Sequence, residues 1–132
     1  MKGAESILGH GIDIVEIERI ARALDEHPQR FPERIFTVTE RAYCDLAPRR
    51  RAERYAARFA VKEAVLKALG TGWTDGIAWT DLEILRLASG EPRLLVTGRA
   101  AEVAASRGIG RWLVSMSHSG THAIGSAIAM SA

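Results

Sequence analysis

Cysteine is almost absent from this chain. Cys44 is the single one in 132 residues, so no internal disulfide can form, and a reducing cytoplasm is the setting the composition suits. Long apolar runs are missing too. No stretch approaches the roughly 18 apolar residues that span a bilayer, and Met1-Lys2-Gly3-Ala4-Glu5 leads into too short an apolar run for a signal peptide. Aromatic residues are few, with three Trp, two Tyr and three Phe, and they are not interleaved with basic ones. With a formal net charge of only +2, that argues against a nucleic-acid-binding surface. The expectation is one domain over residues 1–132 in the cytoplasm, partnered by neither membrane nor nucleic acid.

Charge is unevenly placed. Arg49, Arg50, Arg51, Arg54 and Arg58 crowd together with only Glu53 opposing them, which fits a phosphate-bearing ligand or acidic partner, or else a solvated helix face. Residues 7–15 read as a β-branched strand interrupted by Gly9 and Gly11. A helix follows from Glu16 to about His27, with Ile17, Ile20, Ala21 and Leu24 at helical spacing, and Pro28 stops it. Thr37 and Glu40 fit a capping box that starts a short helix. Pro48 suits the first turn of the longest helix, which Gly70 closes. Within it Ala52, Ala56, Ala60, Ala64 and Ala68 form a ridge of small side chains that lets other elements approach the backbone.

Beyond Gly72 the pattern turns strand-like. Ile77 to Leu87 and Arg93 to Thr97 flank a hairpin connection at 89–92, a short helix covers Ala100 to Ser106, and Trp112 to Ser117 pairs with His122 to Met130. Trp112 and Gly125 interrupt the β-branched alternation expected of that last hairpin, so its register is loosely specified. The fold class is α+β: one long central helix packed on an antiparallel sheet. Trp73, Trp79 and Trp112 are expected to pack a core or a subunit interface.

Gly9-His10-Gly11 is not a dinucleotide fingerprint, because the third glycine would fall on Ile14. The glycines instead suit close backbone approach beside Asp13. Asp13 lies between Ile12 and Ile14, where a carboxylate is costly unless paired, hydrogen-bonded or coordinated; capping the following helix is the alternative. On the long helix Phe59, Glu63 and Lys67 share one face, and Glu63 with Lys67 could form a simple surface ion pair. Arg58 and Lys62 share another face as like charges, mildly unfavourable unless an anion lies between them or solvent screens them. Ser117-His118-Ser119-Gly120 is not a nucleophile elbow, and neighbours on a strand point to opposite faces, which argues against a Ser–His pair.

Gly11-Ile12-Asp13-Ile14-Val15-Glu16-Ile17, then Arg58-Phe59-Ala60-Val61-Lys62-Glu63 and Lys67-Ala68-Leu69-Gly70-Thr71-Gly72, resemble the holo-acyl-carrier-protein synthases. Residues 79–84, 90–92 and 114–119 fit in the same order. The resemblance implies a 4′-phosphopantetheinyl transferase-like fold and transfer of phosphopantetheine from coenzyme A to a serine of apo acyl carrier protein, in support of fatty acid biosynthesis. It implies magnesium held by Asp13 and Glu63, with Glu63 also the candidate base, directly or through a metal-bound water. Arg58 and Lys67 match positions that bind coenzyme A phosphates. His118 is expected to join them, its alternative being a hydrogen-bonded turn residue. Lys62 either orients Glu63 or is a snorkelling helix lysine. A homotrimer with sites between subunits is also implied, as is docking of the acidic carrier on the first helix, which carries Arg19 and Arg22 with Arg30 just beyond.

Overall fold

The computed structural model describes residues 4–72 and 76–132. Strand β1 (Ile7–Glu16) is followed by helices α1 (Ile17–Glu26), α2 (Arg30–Ile35), α3 (Val38–Asp45) and α4 (Arg51–Leu69). Strands β2 (Leu82–Arg86) and β3 (Pro92–Val96), helix α5 (Gly98–Ser106), and strands β4 (Ile109–His118) and β5 (His122–Ser131) complete the order. The strands form two antiparallel sheets, β1-β5-β4 and the β2-β3 hairpin, instead of one.

Helix α4 lies across β1 and β5. One core cluster gathers between its C-terminal half, α5 and both sheets, with Val61, Val65, Leu66, Leu82 and Ile84. The other gathers between its N-terminal half and α1 to α3, with Ile20, Leu24, Phe36 and Tyr55. A helix packed on so many sides needs small residues where it meets a sheet, and the alanine ridge supplies them. The strands reciprocate. A Cβ on Gly11 would come within 2.8 Å of the Ala64 carbonyl carbon, and one on Gly125 within 2.7 Å of Ala60 O, closer than real Cβ atoms approach. Gly125 therefore fixes the hairpin: it pairs with Asp13 on one side and Met116 on the other, at the point where α4 touches the sheet.

The capping box on α3 forms as expected, with Thr37 Oγ1 accepting from Glu40 N at 3.2 Å and Glu40 Oε1 accepting from Thr37 N at 2.9 Å. Gly70 closes α4 in the left-handed region at φ 76°. Pro48 opens a short 3₁₀ turn, Pro48–Arg50, that runs into α4. Helix α2 has no signal in the sequence pattern, where Pro28 only ends the helix before it. Pro32 sits in its first turn, where the missing N–H costs nothing. The expected strand from Ile77 is also shorter: Trp79–Asp81 form a 3₁₀ turn because Asp81 Oδ2 accepts from Ala78 N at 3.1 Å. Trp79 and Trp112 pack against the two cores, whereas Trp73 lies outside the described residues.

Candidate active site

From Tyr55 to Lys67, every α4 residue is buried except Phe59, Glu63 and Lys67. Spaced four apart, these three form the open stripe of this part of the helix, and at its C-terminal end Lys67 reaches β1. Lys67 Nζ donates to Ile12 O at 2.9 Å and to Asp13 Oδ1 at 3.2 Å. Asp13 shares the helix-facing side of β1 with Gly11 and the buried Val15, and only 19% of its side chain is exposed. It does not cap α1, whose N-cap residue is Glu16. A carboxylate in an apolar strand thus has a cation beside it, as desolvation demands.

Among the described residues, no three His, Cys, Asp or Glu side chains gather in metal-binding range. A two-carboxylate site suits magnesium, which takes one or two protein carboxylates and completes an octahedron with water and substrate phosphate oxygens. Asp13 fits: it is largely shielded from solvent, and the Lys67 ammonium already occupies the place of a positive charge on it. Glu63, half-buried one turn before Lys67 on the same stripe, is the second donor this geometry offers.

A cavity of about 240 Å³ opens on the other side of α4, lined by Tyr43, Arg50, Arg54, Arg58, Arg86 and His118 among others. Arg58 is 2% exposed and its Nε has no partner. Lys62 does not line this cavity and is bonded to Glu40, so Arg58 and Lys62 do not share one anion. His118 Nδ1 lies 3.3 Å from Ser119 O and its Nε2 3.7 Å from Glu53, so neither ring nitrogen serves Ser117. His118 also lines a second hollow with Ile14 and Ile124, and these two in turn border the hollow of Asp13 and Lys67. The arginine cavity and the Asp13 site are thereby joined by adjoining hollows.

Lys62 has a different place. It is fully buried, and its three donors go to Glu40 Oε1 at 2.7 Å, Ile35 O at 2.7 Å and Trp79 O at 3.3 Å. Glu40 Oε2 accepts from Ile84 N at 2.9 Å, so the pair ties α2, α3, α4 and β2 together. Burial pushes the Lys62 ammonium below its ordinary range, while Glu40 pulls the other way. Three bonded donors make Lys62 a strut that holds the scaffold behind Glu63, and it does not snorkel to water. The sequence showed Glu40 only as a cap; that it doubles as the counter-ion of Lys62 needed the fold. Cys44 is buried beside these elements, and desolvation pushes its thiol up to about 12, which keeps it a protonated core residue.

Another hollow, about 480 Å³, lies between α1, α2 and the open stripe. Arg19, Arg30, Arg34 and His27 ring an apolar floor of Phe31, Phe59 and Trp79, the last two stacked with centroids 5.3 Å apart. Arg22 does not line it.

Carboxylates facing a cation, beside a separate nest of guanidiniums, are the parts of a phosphoryl-transfer site. Residues 9–125 match the model of the 4′-phosphopantetheinyl transferase superfamily, and the chain belongs to that family. The holo-acyl-carrier-protein synthase of Koribacter versatilis (strain Ellin345) is 45% identical over 92% of this chain and 97% of its own. That of Desulforudis audaxviator (strain MP104C) is 49% identical over 94% and 93%. Among solved structures, the holo-acyl-carrier-protein synthase of Bacillus anthracis in complex with coenzyme A (3′,5′-ADP) superposes with TM-score 0.81 at 35% identity, covering 98% of this chain and 100% of that one. The Neisseria meningitidis enzyme gives 0.85 at 31%, covering 94% and 98%.

Proposed function

We propose that this chain is a holo-acyl-carrier-protein synthase, a single-domain, magnesium-dependent cytoplasmic transferase that serves fatty acid biosynthesis. The carrying observation is Asp13 held against Lys67 beside Glu63, on the open stripe of the buried part of α4. The names of its relatives support the reading.

In the reaction, the carrier serine oxygen bonds to the phosphorus that bears pantetheine, and the bond from that phosphorus to the bridging diphosphate oxygen breaks. Adenosine 3′,5′-bisphosphate leaves. Asp13 and Glu63 would hold magnesium, which offsets charge on the diphosphate. Lys67 moves its ammonium from Asp13 onto a phosphate oxygen, and Glu63 accepts the serine proton. Lys62 positions this end of α4 through Glu40 and touches no substrate. Arg58 and His118 receive the phosphate monoester of coenzyme A in the arginine cavity, away from the reacting phosphorus. Catalysis of this kind is mostly placement and charge stabilisation.

The carrier docks at the hollow lined by Arg19, Arg30 and Arg34, whose basic rim suits an acidic protein and whose aromatic floor borders Glu63's stripe. The chain assembles as a homotrimer with sites between subunits. On the sheet face away from α4, Ile12, Ile14, Leu113 and Ile124 are 40–60% exposed, with Ile14 paired to Ile124 across the strands. Large apolar side chains left open on one face are what a subunit contact covers. A monomeric mass by light scattering in a fully active sample would refute the assembly.

The decisive experiment mixes the protein with magnesium, coenzyme A and an apo carrier protein. Mass spectrometry should show the carrier heavier by one phosphopantetheine, with adenosine 3′,5′-bisphosphate released. An unmodified carrier overturns the reading.

A further inference from the structure

Four guanidiniums around one small cavity repel one another, and Glu53 is the only carboxylate among the lining residues. Three of the four converge on Tyr43, in the last turn of α3. Arg54 and Arg58 lie over its ring, with Cζ atoms 4.3 and 4.4 Å from the centroid. Arg86 Nη1, arriving from the end of β2, donates to the Tyr43 hydroxyl at 2.7 Å. Arg54 Nη1 also donates to Tyr43 O at 2.9 Å. The π face and the phenol oxygen are the negative surfaces that hold these cations together. The arrangement leaves donors over: Arg58 Nε is buried without a partner, which is costly unless a ligand takes the bond. Helix α3 is itself fixed by the Glu40–Lys62–Ile84 network, so the ring is a rigid template.

We propose that Tyr43 is a specificity-determining residue. By setting the spacing of Arg54, Arg58 and Arg86 it shapes a receptor for a phosphate monoester dianion, and so selects coenzyme A over dephospho-coenzyme A. This rests on the functional reading above, in which the diphosphate stays with Asp13, Glu63 and Lys67 and the non-reacting monoester fills the arginine cavity. Tyr43 touches neither the reacting atoms nor their carboxylates. It acts through the three arginines, and its effect belongs in the affinity for one group of the substrate.

The test compares coenzyme A with dephospho-coenzyme A as donors for wild type, Tyr43→Phe and Tyr43→Ala, with thermal melting to check folding. Wild type should prefer coenzyme A. Tyr43→Phe keeps the ring but frees Arg86, and the ratio of kcat/KM for the two donors should fall severalfold, through a raised KM for coenzyme A. Tyr43→Ala removes the ring from Arg54 and Arg58 and the hydroxyl from Arg86, leaving Arg54 only its bond to the carbonyl of residue 43. The ratio should then fall by about tenfold or more, the scale of one or two cation–π contacts. Should Tyr43→Ala fail to fold, Tyr43→Phe decides alone. A wild-type preference that both variants keep in full overturns the role of Tyr43 and leaves the functional reading standing. Transfer from both donors with equal efficiency by wild type overturns the placement of the monoester itself.

Discussion

The Lys67 ammonium sits 3.2 Å from Asp13 Oδ1 and 2.9 Å from Ile12 O, bridging the long helix to the carboxylate of the first strand. With over half of its side chain exposed, this lysine is free to exchange one anionic partner for another. Lys67→Ala should weaken coenzyme A binding by about tenfold, the scale of one charge-assisted hydrogen bond. Magnesium binding to the substrate-free protein should tighten, because a competing cation has gone. Calorimetric titrations with each ligand check both signs. A variant that binds coenzyme A as tightly as wild type would show Lys67 misassigned.

Asp13→Asn and Glu63→Gln keep size and lose charge. Each should lower turnover by about 100-fold or more while melting close to wild type, since neither residue belongs to a hydrophobic core. Near-normal turnover at ordinary magnesium in either variant would remove that carboxylate from the site.

Glu40 and Lys62 stand or fall together. Glu40→Gln leaves a buried ammonium without its counter-ion and should cost about 3–5 kcal/mol in urea unfolding. The double replacement Glu40→Gln with Lys62→Met should cost less than the two singles summed, and a strictly additive result would mean the pair is not coupled.

Close contact of α4 with the sheet leaves no room for a side chain at Gly11 or Gly125. Gly125→Ala should destabilise by about 1–3 kcal/mol, the usual cost of overpacking. Gly120→Ala, where nothing lies within 4 Å, should leave the melting temperature nearly unchanged. Equal melting of the two variants would contradict the packing described.

Arg19 and Arg22 were neighbours on one face in the sequence, but only Arg19 lines the hollow beside the open stripe. Arg19→Glu should slow carrier association and flatten its salt dependence, with coenzyme A binding close to normal, because rim charges steer encounter. Arg22→Glu should do less. Association rates across a salt series decide, and equal effects of the two would move the docking surface onto the exposed face of α1.

Local chemistry made much of this legible from the sequence alone. The Thr37–Glu40 box, the Gly70 cap and the alanine ridge each act within one or two helical turns, so spacing reveals them. The isolated Asp13 and the stripe of Phe59, Glu63 and Lys67 were visible for the same reason, since alternation along a strand and 100° per residue along a helix fix who shares a face. Pairing between distant segments was not visible. Lys62 looked like a solvated companion of Arg58 until α3 brought Glu40 to it from 22 residues away. Tyr43 carried no motif, and only the packing of α3 against α4 and β2 put two guanidiniums over its ring and a third on its hydroxyl. Gly125 looked like a flaw in a strand, although it is where the helix touches the sheet. Sequence spacing specified the parts whose partners lie within a turn or two. Burial decided the rest, because a charge removed from water must find its counter-charge wherever the fold brings one.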